Sequence, residues 1–183
     1  DISAVRISSV IYGEDKPYQL GFSVTGLIFL LMLFVPNIFW AKKGKPEDYE
    51  KYAKLENKTL LAMERIGEVA VTVLLLVFSS TNPYIKILPE GIYFDWRIIM
   101  WVEALVLMIL YECYWIKYFR SRKTMKDLYS SFAGFPVAGA TLPVIALFLL
   151  GLYSLNILLI AFSVTLGIGH IGIHVMHSKE ARA

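Results

Sequence analysis

The chain has a single cysteine, Cys113, and only three histidines among its 183 residues. One thiol excludes both a disulfide framework and a cysteine-based zinc site. Charged residues are scarce as well, at 18% of the chain against 57% hydrophobic. With so little polar surface and a mean hydropathy of +0.58, a water-soluble domain of this length is excluded. No GxGxxG, Walker, GxSxG or HExxH pattern occurs, which removes common nucleotide-binding, nucleophile and zincin signatures. No internal repeat is visible, and with it goes the inverted duplication of many transporters. Basic residues flank apolar blocks instead of mixing with aromatic ones, so nucleic acid is not expected as a partner.

What is present is a series of five apolar blocks, at about 18–40, 60–80, 97–119, 133–153 and 155–177. At 1.5 Å per residue each can cross a hydrocarbon core of about 30 Å. They predict an all-α, polytopic membrane protein: one five-helix transmembrane bundle over residues 18–183, multi-pass in the cell (plasma) membrane with lipids as its neighbours. Residues 1–17 lack the basic start, continuous apolar core and small-residue cleavage site of a signal peptide, and are expected to form a tail outside the bundle. Tyr18, Trp40, Tyr93, Trp96, Trp115, Tyr118 and Tyr153 mark block ends, where amphipathic rings favour the membrane interface.

The basic residues predict direction. Fourteen of the eighteen fall on one side of the bundle, in the loops after blocks one and three, at Arg65 and in the C-terminal tail. Arg6, Lys16, Lys86 and Arg97 fall on the other. The positive-inside rule then puts the N-terminus outside and the C-terminus in the cytoplasm. In the first of these loops Pro46, Glu47 and Asp48 suit a helix start, and Glu47 with Lys51 and Glu50 with Lys54 form i,i+4 pairs, so a cytoplasmic helix is expected over about 46–59.

Block four carries Pro136 and Pro143 beside Gly134 and Gly139. Such a helix is expected to be kinked or partly unwound, a feature that membranes allow only against protein or trapped water. Ser130, Gly134 and Ala138 recur every four residues and predict a small-residue packing face, which leaves a homo-oligomer open.

All three histidines lie in GIGHIGIHVMH, residues 167–177. His170, His174 and His177 fall at i, i+4 and i+7, within roughly 60° of one helical face. Glu112, Glu64, Arg65 and Glu68 reach a similar depth from the same side, and Asn37 follows Pro36 near the inner end of block one. Charged groups inside a membrane cost about 2.5–3.5 kcal/mol each at a span's centre, so these must be paired, hydrated or bound to something. Glu68 can pair with Arg65 at i,i+3, which leaves Glu64 and Glu112 to seek His170 or His174. Glu103 points away from Glu112 and is set apart from this group.

Three roles fit the cluster. His170, His174 and Glu64 suit a divalent transition metal such as zinc, iron or manganese, and a metal-bound water would then suit hydrolysis of a lipid headgroup bond. Glu64, Glu68, Glu112 and Asn37 equally suit a small ligand, or protons and cations in transport. Alternatively the same groups only fix helix pairing, as in an accessory subunit. Beside them YFRSRKTMKDLYSSF places Arg120 and Arg122 at the inner surface, where a guanidinium pair can bind the phosphate of a lipid headgroup.

Together, GFSVTGLIFLLMLFVPNIFW, ERIGEV, TLPVIALFLLGLY and GHIGIH resemble a family of small, uncharacterised bacterial five-helix integral membrane proteins. The resemblance covers nearly everything after residue 17, and implies a bacterial cell membrane but no activity.

Overall fold

The computed structural model describes residues 18–89 and 91–181; the expected N-terminal tail and Arg182 lie outside them. The chain is mostly helical. In order come α1 (Val24–Phe39), α2 (Tyr49–Ala53), α3 (Lys58–Val77), a hairpin of β1 (Ile85–Leu88) and β2 (Gly91–Phe94), α4 (Ile98–Phe119), α5 (Met125–Leu128), α6 (Ala138–Tyr153) and α7 (Ile157–Glu180). The antiparallel hairpin, with Ile85 opposite Phe94 and Leu88 opposite Gly91, is a departure from the all-α expectation. Its β-branched and aromatic residues suit strands.

Local chemistry sets the helix starts. Ser23 Oγ accepts from Gly26 N at 2.8 Å to open α1, Asn57 Oδ1 accepts from Thr59 N and Leu60 N to open α3, and Asn156 Oδ1 accepts from Leu159 N to open α7. Each side chain satisfies amides that the first helical turn leaves without partners.

Three helical segments are long and apolar enough to cross a membrane: Val24–Gly44, Ile98–Phe119 and Ile157–Glu180. The first includes a π-helical turn at Trp40–Gly44. α6 is apolar but shorter, at 16 residues, and α3 has the length but carries Glu64, Arg65 and Glu68 along its first three turns. Isoleucine, leucine and valine side chains cover the outer faces of α1, α4 and α7. Exposed apolar surface on this scale marks a chain whose solvent is lipid.

α6 is the central helix, buried along most of its length between α4 and α7, while α3 packs along α7. Close backbone approach explains the α3–α7 seam. A Cβ on Gly169 would meet Glu64 N at 2.4 Å and Leu60 O at 2.6 Å, and one on Gly67 would meet Leu166 Cα at 2.7 Å. The small-residue face expected at Ser130, Gly134 and Ala138 is not formed. Helix α6 begins only at Ala138, and Gly134 sits in a turn at φ +87° with nothing within 4 Å of its would-be Cβ. Residues 133–137 are thus unwound, as the prolines allow. Val137 takes φ +40°, ψ +54°, and Ser130 O accepts from Ala138 N at 3.2 Å.

Of the loop expected to be helical over 46–59, only Tyr49–Ala53 forms a helix before α3 opens at Lys58. Asn57 adopts extended geometry in order to cap α3, which interrupts any continuous helix. Lys45 pairs with Glu50 at 3.0 Å in place of the i,i+4 pairs. Trp115 and Tyr118, expected at the interface, are buried at 5% and 1% exposure. With Tyr111 and Tyr114 they form the inward face of α4. The Tyr118 hydroxyl donates to Gly44 O at 2.5 Å, and that of Tyr114 donates to Leu128 O, tying the loops after α1 and α4 to one end of the bundle.

Candidate functional site: a cavity at the basic end

A cavity of about 280 Å³ lies where all the long helices converge near that end. Its wall is assembled by helix. α1 and its π turn contribute Leu33, Phe34, Asn37 and Trp40, and the following loop contributes Tyr49 and Glu56. α3 adds Leu61, Glu64, Arg65 and Glu68, and α4 adds Tyr114 and Trp115. Leu128 and Tyr129 come from the α5 region, Gly139, Pro143, Val144 and Leu147 from α6, and Leu166, His170, Ile173 and His174 from α7. Pro143 has no N–H, so the Gly139 carbonyl lacks its usual i+4 donor on this wall.

At its centre His170 Nδ1 meets Glu64 Oε1 at 2.5 Å, one of the pairings of Glu64 or Glu112 with His170 or His174 that depth and residue type left open. Both side chains are partly exposed, at 27% and 17%. Arg65 Nη1 donates to Glu68 Oε2 at 3.0 Å, again as expected, at the exposed edge of the cavity. Asn37 Nδ2 donates to Leu33 O at 2.7 Å and to the Tyr111 hydroxyl at 2.9 Å.

The His174 ring lies 4.4 Å from that of His170, tilted at 51°, and edge-on at 4.9 Å from Tyr129. Its Nδ1 is buried without a hydrogen-bond partner. The indole N–H groups of Trp40 and Trp115 are also buried and make no hydrogen bond of ordinary geometry, although the Tyr118 and Tyr111 hydroxyls lie nearby. Such orphaned groups are costly, about 1–3 kcal/mol each, and are expected where a ligand or water completes the structure.

His177 faces a different set. It is 1% exposed, with Nε2 at 3.1 Å from Glu56 and Nδ1 at 3.1 Å from Glu180. This clamp ties the end of α7 to the loop before α3 and agrees with a structural role. Tyr49, outside the spans, has its phenol pushed up to about 12, first by burial and then by the charges of Glu56 and Glu64. It therefore stays protonated beside an acidic wall.

Other expected residues fall elsewhere. Glu112 does not line the cavity, because Tyr111, Tyr114 and Trp115 take the inward face of α4; its Oε1 is buried without a partner. Arg120 and Arg122 are exposed and absent from the wall. Arg120 caps the end of α4 and Arg122 follows in the loop, so neither brings phosphate chemistry to the cavity. Glu103 is exposed, apart from the cluster as expected.

His170, His174 and Glu64 are brought together, but not as a ligand set. Two donors on one tetrahedral zinc at about 2.1 Å sit roughly 3.4 Å apart. The 2.5 Å contact between Nδ1 and Oε1 leaves no room for an ion between those atoms. Among the described residues no group of three or more His, Cys, Asp or Glu side chains could hold a metal ion.

Sequence reasoning missed the inward aromatic face of α4, from which Tyr114 and Trp115 reach the wall. Tyr111, Tyr114, Trp115 and Tyr118 recur at i, i+3, i+4 and i+7, a pattern that marks one helical face. It also missed Glu56, whose position is visible only once Asn57 is recognised as a cap.

Fold and surface define a helical membrane protein. No protein-family model matches the chain, and no curated protein or solved structure is similar to it.

Proposed function

We propose that this is a five-span protein of the cell membrane, N-terminus outside and C-terminus cytoplasmic, whose cavity binds a small ligand from the cytoplasmic side. The charge asymmetry supports the orientation. Contacts such as Tyr118 to Gly44 and Tyr52 to His177 gather the basic loops at one end, where positive residues are retained in the cytoplasm. α3 and α6 complete the five spans, with Glu64 of α3 and the Gly139–Pro143 turn of α6 on the cavity wall instead of in lipid.

One observation carries the binding role: a cavity of about 280 Å³ has a hydrogen-bonded Glu64–His170 couple on its wall and apolar side chains behind it. Apolar lining with a few convergent polar groups is the usual make-up of a ligand site. A purely structural role for the couple would not require a cavity beside it. Native mass spectrometry of protein released from its own membrane is expected to show a one-to-one small-molecule adduct, absent from a Leu147→Trp variant that fills the cavity. Identical spectra for the two folded proteins would refute binding.

Cation- or proton-coupled transport is the second reading, supported by the run of titratable rings from the cavity to the end of α7. His170, His174, Tyr129 and His177 follow one another at centroid separations of 4.4, 4.9 and 5.3 Å. Proteoliposomes are then expected to dissipate a pH gradient, and His174→Ala to stop this. A gradient that persists with wild-type protein would exclude it.

A further inference from the structure

We infer that the occupant of this cavity is an organic ammonium cation with a short apolar arm, a conclusion that rests on the cavity being a binding site. The sign of the wall comes first. Glu56, Glu64 and Glu68 line the wall with one arginine, Arg65, which is bonded to Glu68, and with His170, which is bonded to Glu64, while Glu56 meets His177 behind the wall. An anionic headgroup would meet carboxylates. A cation would meet Glu64, which uses Oε1 on His170 and keeps Oε2 for a second partner.

The kind of cation follows from the rest of the wall. Trp40, Tyr49, Tyr114, Trp115 and Tyr129 all line the cavity, and ring faces attract ammonium groups through their quadrupoles, most strongly where water is excluded. One corner of the wall already carries such a group. The Lys45 ammonium, itself outside the lining, lies 5.6 Å from the Trp40 centroid and 5.3 Å from that of Tyr49. A hard metal ion gains little from such rings, whereas an alkylammonium gains from rings and carboxylate together. Behind the acids, Leu33, Val144, Leu147 and Leu166 form an apolar recess. At about 280 Å³ the space equals roughly nine waters at ~30 Å³ each, which suits a head and a short chain.

Three probes with the same six-carbon arm test this: hexyltrimethylammonium, hexanoate and hexanol, titrated into protein in zwitterionic-lipid nanodiscs. Trp40 and Trp115 on the wall report binding by fluorescence, and calorimetry gives the stoichiometry. Saturable one-to-one binding is expected for the ammonium, with the anion and the alcohol at least tenfold weaker. Glu64→Gln should weaken the ammonium tenfold or more, and Glu103→Gln should leave it unchanged. Should Glu64→Gln fail to fold, Glu68→Gln is expected to give a smaller loss in the same direction. Equal binding of all three probes, preference for hexanoate, or undiminished ammonium binding in both Glu64→Gln and Glu68→Gln would overturn the cation while leaving a ligand site. Binding of no probe, together with no adduct in native mass spectrometry, would remove the site itself.

Discussion

The two ends of the bundle solve the same problem in opposite ways. At the end away from the basic loops, polar groups close on one another. Ser23 Oγ bonds Thr81 Oγ1 at 2.6 Å, Asn82 Oδ1 accepts from Ser23 Oγ and Thr25 N, and the Tyr153 hydroxyl donates to Asn82 O while accepting from Tyr84 N. Asp95 and Arg97 form a fork-like ion pair nearby. Among the described residues, buried side-chain atoms without a partner occur in both halves: Asn156 Nδ2 at the cap and Ser163 Oγ in the N-terminal third of α7, and His174 Nδ1 on the cavity wall, where the indole N–H groups of Trp40 and Trp115 lie beside tyrosine hydroxyls. Polar groups bonded to one another rigidify a fold, whereas the basic end sets an unpartnered imidazole beside an open space. The closed end holds the helices in register, and the basic end leaves groups for a guest.

Breaking the scaffold should have the largest effect, at either end. Gly26→Ala would place a Cβ 1.9 Å from Leu75 O near the closed end, and Gly169→Ala would place one 2.4 Å from Glu64 N at the cavity. Each is expected to cost about 3 kcal/mol through overpacking, read as a fall in thermal unfolding temperature in detergent. Only Gly169→Ala should also part Glu64 from His170 and weaken ligand binding more than its loss of stability explains. Equal effects of both variants on binding would erase the distinction between the ends.

Asn82→Ala isolates the closed end. It removes acceptors from Ser23 Oγ and Thr25 N, at about 1 kcal/mol per hydrogen bond, so a loss near 2 kcal/mol is expected with probe affinity at the cavity unchanged. His174→Phe does the reverse. It replaces a buried unpartnered imidazole by a ring of similar shape, so stability should hold or rise slightly while probe affinity changes.

A smaller effect concerns pH. The Asp95 carboxyl is held below its ordinary value of 3.8, chiefly by hydrogen bonding to Arg97 against the opposing effect of burial. A depressed folded-state value means that the stabilisation is present above about 3.8 and is lost as pH falls through the lower, folded value. Thermal scans of wild-type protein should show this acid-side loss, and Asp95→Asn should abolish it. The smallest effect is expected for Arg120→Ala with Arg122→Ala, which should leave stability and probe binding unchanged because both side chains are exposed and off the cavity wall. A clear loss of binding in that double variant would return the phosphate chemistry to the site.

Membrane class, the approximate limits of the long helices and the need of Glu64 for a histidine partner on α7 were legible from residue order. Apolar run length, capping residues and depth along a helix are local quantities, and a buried carboxylate must find some partner. The pairing of Arg65 with Glu68 is local in the same way. What residue order did not reveal was which way each helix is turned about its own axis. Glu112 and His174 occupy equally suggestive positions, yet one lies off the wall and the other on it. The difference comes from the aromatic stripe of α4, which occupies the inward face, and from the glycine seam that presses α7 against α3. Rotation and close approach depend on contacts between helices far apart in the chain, so only the assembled bundle decides which of its buried polar groups share a cavity.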